Sequence, residues 1–479
     1  EATGLPSLRG KVDLIYIDPP YNTGSDGFTY KDSRFLTEYP DGSTIPKNHP
    51  LRHSAWLSFM EKRLRLAKDL LKDSGAILIS INEDEFANLK LLCDSIFDNQ
   101  NYLTTFTLKI RHDDRILKGD KPIHETTEFL LLYRKSEKFK INKRIKDNSD
   151  PSDYIYEIEE NTDNPEIIEL GGKEVKVFRP GQYSIVEKEA DFTHLKKINI
   201  RGSIKTGNSS GRFHMDYLED KNNEFNVLYK VPGIGDDGRG YRYFLSRESE
   251  RRANGFYFQG APQNRNDILE IPFPNFFDLE LEFNNVGTEG GVPFDGGKKP
   301  IAFIQKFLNI VKGDSDNMVV LDFFAGSGST AHAIVADNLK ENKSNQVILV
   351  QQPEPTYEIT NGRKVAKDNC RNIFRAGFEN ITQITYDRCK KFIGGYISQN
   401  TNSEILYKET LSLTKLRMAS EFVDLANKIK RDNLQNYDEV KITFKSGELM
   451  VKGSRDENIQ VTGLGGSLKY YRTSFVGKN

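Results

Sequence analysis

Two short stretches of this sequence combine residue types and spacing that can do chemistry. The first is Asp18-Pro19-Pro20-Tyr21. Proline rings stiffen a turn and cannot donate a hydrogen bond, which leaves backbone carbonyls free. The Asp18 carboxylate and a proline carbonyl can then both accept hydrogen bonds from one amino group, and Tyr21 adds a flat face on which a ring can stack. The second stretch is Asp322-x-Phe324-x-Gly326-x-Gly328-x-Thr330. Glycines there let backbone amides approach a ligand, and the amino end of a following helix favours an anionic group. Ala331 stands at the third glycine of a dinucleotide fingerprint; alanine is a permitted substitute, so dinucleotide binding stays open. A Walker loop is excluded, because no Gly-Lys-Ser/Thr follows. A ligand ribose is expected to meet Gln351 or Glu354 at the end of the next strand. The seven histidines are scattered without metal-ligand spacing, so no metal site is assigned. No Ser/Cys–His–Asp arrangement can be assigned either.

Both stretches need strands that end at them. Residues 12–17 form a nearly continuous apolar run, as in a strand buried on both faces, and the two prolines end it. A long Gly/Asn/Asp/Ser/Pro-rich loop follows to about residue 50. Trp56, Phe59, Met60, Leu64, Ala67, Leu70 and Leu71 recur at helical spacing over 54–71, and Ser74-Gly75 stops that helix. A strand at 76–81, a helix at 85–97 and a strand at 128–133 follow. Strand–helix alternation predicts an α/β unit with a parallel sheet. It resumes at Pro300 with a helix at 302–311, a strand at 318–323, the glycine turn, a helix at 331–339 and a strand at 346–350. The tail is expected to hold a helix over 411–429 and short strands at 440–444 and 448–451.

Between these halves, residues 134–285 lose the alternation and read as mostly β or α+β. Segment 134–146 is rich in cations, among them Lys140, Lys143 and Arg144. Segment 239–258 interleaves Arg239, Arg242, Arg247, Arg251 and Arg252 with Tyr241, Tyr243, Phe244, Phe256, Tyr257 and Phe258. One reading is a solvated surface over core aromatics. The other is a nucleic-acid surface, on which Lys140, Lys143, Arg144, Arg239 and Arg242 would meet phosphates.

Composition bounds these readings. Lys and Arg number 68 against 69 Asp and Glu, a net charge of −1, which excludes a wholly basic nucleic-acid-coating protein but not local basic surfaces. With 37% hydrophobic residues the chain is not a disordered one, and 479 residues suggest two to four domains. Three scattered cysteines exclude a disulfide scaffold or Cys-rich zinc module and fit a reducing cytoplasm. No apolar run is long enough to span a bilayer and no signal peptide is recognisable, so a cytoplasmic protein without membrane contact is expected.

Asp-Pro-Pro-Tyr, then a variable insert, then Phe-x-Gly-x-Gly, resembles the order of the β-class amino DNA methyltransferases. The longer run from Asp13 through Asp18-Pro-Pro-Tyr-Asn-Thr-Gly24 is similar to the modification subunits of type III restriction–modification systems. So are His53-Ser54-x-Trp56-Leu57-x-Phe59-Met60-x-x-Arg63-Leu64, Ile79-Ser80-Ile81-Asn82-x-x-Glu85, Lys299-Pro300, Val350-Gln351-x-Pro353-Glu354-Pro355, and Gly465-Gly466-Ser467-Leu468-Lys469-Tyr470-Tyr471-Arg472-Thr473. The resemblance covers about 1–135, 285–395 and the last dozen residues. Two departures stand out. Thr127 occupies the place of a family His before Glu128, and a Gly-Asp-Asn segment expected just upstream of the first helix is absent. With Glu1 rather than Met at the start, further residues are expected before it.

The resemblance implies a permuted Rossmann-like, S-adenosylmethionine-dependent methyltransferase domain of α/β class, carrying an inserted DNA target-recognition region and a C-terminal accessory segment. Its parts would be a catalytic half at 1–135, a target-recognition insert at 136–285, a cofactor-binding half at 286–395 and an accessory domain at 396–479. The reaction would be methylation of adenine N6 in double-stranded DNA without a metal. Asp18, Pro19, Pro20 and Tyr21 would be catalytic: Asp18 and the Pro19 carbonyl take the amino group, and Tyr21 stacks on the flipped base with no part for its hydroxyl. Asp18, Asp322, Phe324, Gly326, Gly328, Thr330, Gln351, Glu354, Lys299 and Pro300 would hold the cofactor. A homodimer and a restriction (helicase–nuclease) partner would follow. Cytosine-N4 methylation, or a non-catalytic DNA-binding subunit of a defence complex, are the rival readings.

Overall fold

In a computed structural model, the described residues are 7–24, 30–114, 123–200, 209–221, 223–251, 254–284, 286–294, 296–313, 315–411, 415–445 and 447–473. Arg252, and residues 412–414 of the expected tail helix, lie outside them. The chain forms two compact units: 1–142 with 273–479, and 143–272.

The first unit is built on a seven-stranded sheet. Its elements begin with β1 (Val12–Ile17), α1 (Ser54–Leu70), β2 (Leu71–Ile81), α2 (Glu83–Phe97), β3 (Tyr102–Lys109) and β4 (Thr127–Arg134). The strand order is Phe276–Asp278, β3, β4, β2, β1, Val319–Asp322, Gln346–Leu349. Cover on both faces explains why β1 is apolar except at Asp13, which pairs with Lys72 (2.6 Å). Leu14 and Tyr16 pack on one face with Phe303, Phe307 and Ile334. Val12, Ile15 and Ile17 pack on the other with Trp56, Met60 and Leu64 of α1 and Leu89 and Cys93 of α2.

The sheet is mixed, which corrects the all-parallel expectation. The strand expected at 128–133 is β4, and it runs antiparallel to both β2 (Ile77↔Tyr133) and β3 (Phe106↔Leu130). The Thr-rich β3 was not anticipated. Ser74-Gly75 does not end α1, which stops at Leu70. It sits inside β2 where the pairing with β1 changes register, from Val12↔Leu71 to Leu14↔Ala76. A Cβ at Gly75 would sit 3.0 Å from the backbone oxygens of Val12 and Asp13, a contact tight enough to favour glycine where the strands approach.

β1 and the strand Val319–Asp322 are adjacent and parallel, in register Leu14↔Val320 and Ile15↔Leu321. From β1 the chain continues to β2 on one side, and from Val319–Asp322 to Gln346–Leu349 on the other. This is the point in a parallel sheet where a crevice opens beyond the strand ends. Two sequence motifs some 300 residues apart are thereby brought side by side.

The same unit ends in a three-stranded antiparallel sheet. The 15-residue strand Tyr396–Thr410 pairs with Glu448–Val461, which pairs with Glu439–Lys445. The helix Ala419–Asn433 packs Ala426, Phe422 and Ile429 on Val440, Leu449 and Val451. The first of these strands was not expected. The second unit is an eight-stranded sheet with antiparallel neighbours, a two-stranded ribbon (Arg144–Asp147 with Ile268–Ile271) and the helix Ser209–Tyr217.

Candidate active site

The turn after β1 is held rigid by residues far away in sequence. The Asp32 carboxylate accepts the backbone amides of Tyr21 (2.9 Å), Asn22 (3.2 Å) and Thr23 (2.7 Å). Asn22 has a left-handed backbone (φ 59°), which asparagine tolerates. Its side chain donates to Glu85 (2.6 Å) and accepts the Arg34 amide (2.7 Å). Glu85, fully buried, also bonds His53 (2.7 Å) and Asn88 (2.7 Å). Trp56 Nε1 donates to the Pro20 carbonyl at 2.7 Å. The His53, Trp56 and Glu85 of the quoted motifs are thus buttresses of this turn.

Asp18 sits at the centre of a buried polar cluster. The Tyr21 hydroxyl bonds Asp18 Oδ1 at 2.8 Å and Glu128 Oε2 at 3.1 Å. Lys299 Nζ lies 3.1 Å from Asp18 Oδ1, 3.0 Å from Glu128 Oε2 and 2.8 Å from the Tyr21 hydroxyl. Burial pushes the Asp18 carboxyl up, the Lys299 ammonium pulls it back, and Glu128 adds to the rise. Burial alone would lower Lys299, but the carboxylates of Asp18 and Glu128 outweigh it and hold the ammonium above its ordinary range.

The glycine turn is built by Asp322, which accepts the Phe324 amide (2.9 Å) and the Thr330 hydroxyl (2.6 Å). Burial raises its carboxyl to about 7. Gly326 and Gly328 both have positive φ (50° and 81°). Behind the turn, the fully buried Arg388 donates to the hydroxyls of Ser327 (3.0 Å) and Ser329 (2.8 Å) and pairs with Glu289 (3.2 Å). Lys298, held by the backbone carbonyls of Gly287, Glu289 and Val292, is lowered by burial to about 7.

A cavity of about 370 Å³ opens between the two motifs. Asp18, Pro20, Phe324, Gly326, Gln351 and Glu354 line it, with aromatic walls from Tyr30, Phe59, Phe294 and Phe323. Arg34 and Arg63 also face it, their guanidiniums 3.9 and 3.7 Å from the Phe59 ring centre. Gln351 accepts the Gly326 amide (2.7 Å) and so fastens the turn. Glu354 accepts the Lys31 amide (2.7 Å) and pairs with Arg34 (3.7 Å).

Several expected site residues stand elsewhere. Asp322 and Thr330 are 2% exposed, bonded to each other and behind the turn, so they shape the loop and do not wall the cavity. Gly328 caps the helix Ser329–Glu341, and Pro300 caps Ile301–Val311; neither lies on the wall. Lys299 belongs to the Asp18 cluster and is likewise off the wall. Tyr21 is 8% exposed and off the wall, so its ring offers a base no open face, and its hydroxyl, expected idle, is fully engaged. Glu128 joins the cluster without having been among the expected residues; its sequence signal is its place directly after Thr127 at the start of β4.

In the second unit, Lys143, Arg144 and Arg239 are exposed, Lys143 beside Glu270 (3.2 Å) and Arg239 bonded to the Thr193 carbonyl. Arg242 does not meet the expectation of a phosphate contact: it is 2% exposed and paired with Asp236 (3.5 Å) and Asp237 (3.6 Å). Tyr243, Phe244, Phe256, Tyr257 and Phe258 are buried in the two hydrophobic clusters that cover the sheet, so they present no open ring face for stacking on bases. Lys140, in the first unit, is exposed. Among the described residues no group of His, Cys, Asp and Glu could hold a metal ion, and no helix is long and apolar enough to cross a membrane.

The chain is 28% identical over 348 residues to the probable type III restriction-modification enzyme HindVI Mod subunit of Haemophilus influenzae, covering 68% of this chain and 44% of that protein. It is 29% identical to the EcoP15I Mod subunit of Escherichia coli (74% of this chain, 57% of that one). It is 30% identical to the StyLTI Mod subunit of Salmonella typhimurium (86% and 58%). The chain therefore spans about half the length of these relatives. The family model N6_N4_Mtase, described as DNA methylase, matches residues 12–361. With the match running from β1 through the glycine turn, the chain belongs to the N6_N4_Mtase family of DNA methylases.

Proposed function

We propose that the chain methylates the exocyclic N6 of adenine in double-stranded DNA, using S-adenosylmethionine, as the modification and recognition subunit of a type III restriction–modification system. The observation that carries this reading is one cavity faced by the Asp18 carboxylate from the end of β1 and by the glycine turn from the end of the adjacent strand. The residues present fit the cofactor. Gly326 lines the cavity, and a Cβ there would meet nothing nearer than 3.8 Å, so the backbone is open to a ligand on that side. Phe324, Glu354 and Gln351 complete the holding wall, with Glu354 the one carboxylate among them for ribose hydroxyls. When bound, S-adenosylmethionine supplies an electrophilic methyl group on a sulfonium.

Adenine must leave the stack to reach the cavity. The Asp18 carboxylate and the Pro19 carbonyl accept hydrogen bonds from its amino group, which turns the nitrogen lone pair toward the methyl. Asp32, Trp56 and Glu85 keep this turn from relaxing, so catalysis rests on positioning and electrostatics, with no covalent intermediate on the protein. Tyr21 acts through its hydroxyl, on Asp18. Unit 143–272 is assigned to target recognition, with Lys143, Arg144 and Arg239 on phosphates. The segment 396–473 is assigned to dimerisation or to docking of a restriction subunit in the cytoplasm. The type III assignment follows the names of the Mod-subunit relatives, although M.KpnI of Klebsiella pneumoniae, a type II methyltransferase, is also 28% identical. The test is transfer from methyl-labelled cofactor to mixed genomic DNA, followed by nucleoside analysis. Label in N6-methyladenosine is expected; label in N4-methylcytosine alone, or in neither, overturns the reading.

A further inference from the structure

We propose that Lys299 and Glu128 are positioning residues that set the ionisation of Asp18, and thereby the acid limb of the pH–rate profile. This rests on the reading of Asp18 as the acceptor of the target amine. The three side chains come from three separate places: the turn after β1, β4, and the segment that leads into the helix Ile301–Val311. An ammonium has three protons, and here three oxygens lie within 3.1 Å of Nζ: Asp18 Oδ1, Glu128 Oε2 and the Tyr21 hydroxyl. With 8% of its side chain exposed, Lys299 is a fixed buried charge and not a tether reaching to solvent.

The groups facing Asp18 are Tyr16 on β1, Tyr21 and Tyr30 after it, Glu128 on β4, Asp322 on the neighbouring strand, and Lys299. Lys299 alone among these is cationic. Without it, two carboxylates bridged by one phenol face each other in a buried site, and one takes a proton. A protonated Asp18 offers the amine one good acceptor fewer. Glu128 acts in the opposite sense: it anchors Lys299, but its own negative charge raises Asp18. The two substitutions therefore shift the same titration in opposite directions, which a merely structural role does not do.

The experiment uses the full chain with methyl-labelled S-adenosylmethionine and genomic DNA. Single-turnover rates are measured between about pH 5 and pH 9 for wild type, Lys299→Met, Lys299→Arg and Glu128→Gln. For Lys299→Met the acid limb is expected to move up by about 1–3 pH units, the usual effect of an opposite charge on a carboxyl. For Glu128→Gln it moves toward acid, and for Lys299→Arg it stays with wild type whatever the plateau. Limbs that superimpose, with only the plateaus lowered, overturn the proposal. Thermal melting of the same proteins reads Asp18 without turnover. Its folded carboxyl is raised, so its contribution to stability falls as pH rises. In Lys299→Met this fall extends to higher pH, and the melting deficit grows from pH 5 to pH 8. A deficit that does not change with pH overturns the proposal even if no base is methylated. A growing deficit with no methylation sinks only the functional reading.

Discussion

Replacing Tyr21 with Phe removes one oxygen and keeps the ring. That oxygen contacts three charged groups: Asp18 at 2.8 Å, Glu128 at 3.1 Å and Lys299 at 2.8 Å. A hydrogen bond to a charged partner contributes about 1.5–3 kcal/mol net. The contacts share one atom, and Lys299 keeps both carboxylates, so they do not add. The expected loss is about 2–3 kcal/mol. An idle hydroxyl on an exposed stacking ring would cost nothing measurable, so the substitution separates the two roles for Tyr21. Thermal melting beside single-turnover methylation makes the comparison. Tyr21→Phe should melt several degrees lower and transfer methyl on the order of tenfold more slowly, with DNA affinity unchanged. A variant that melts and methylates like wild type refutes the buried cluster as a support for Asp18.

Other outcomes follow from the same geometry. Gly328→Val forces a branched residue into φ 81° against Thr385 at 3.4 Å, distorting the turn; calorimetry should show S-adenosylmethionine binding lost in a protein that still folds. Asp322 is raised from 3.8 to about 7, so its contribution to stability is lost as pH rises through that window; Asp322→Asn should flatten the fall of the melting midpoint between about pH 4 and 7. Charge reversal at Lys140, Lys143 and Arg144 should flatten the salt dependence of DNA binding, whereas Arg242→Ala should lower stability and leave that slope alone, because Arg242 is buried with Asp236 and Asp237. An unchanged slope in the first variant, or a flattened one in the second, reverses those assignments.

What could be read from the sequence was the part in which local pattern and tertiary role agree. β1 is apolar because both of its faces are covered, so it announced itself and the turn that follows. The helix Ser329–Glu341 and its glycine turn were legible for the same reason. β3 was not, because Tyr102-Leu-Thr-Thr-Phe-Thr-Leu-Lys109 lacks an unbroken apolar run and its neighbour β4 supplies the hydrophobic contacts. The strand Tyr396–Thr410 carries Ser398, Gln399, Asn400, Thr401, Asn402 and Ser403, a polar stretch that reads as a loop and is held by pairing with Glu448–Val461. In the candidate site, Asp18 and Gly326, both on the cavity wall, stand inside recognisable motifs. Glu128 and Asp32 do not, because a carboxylate that serves by holding another group has no spacing signature of its own. The basic–aromatic run at 239–258 misled in part: alternation in a strand places Tyr243 and Phe244 on opposite faces, and in this sheet both faces are packed.

On the proposed mechanism Asp18 orients a target amine without being needed to bind DNA. Single-turnover methylation by Asp18→Ala, measured beside DNA affinity and thermal melting, tests it most directly. Adenine N6 methylation should fall by orders of magnitude, with DNA affinity close to wild type in a folded protein. Near wild-type methylation by a folded Asp18→Ala protein would contradict it.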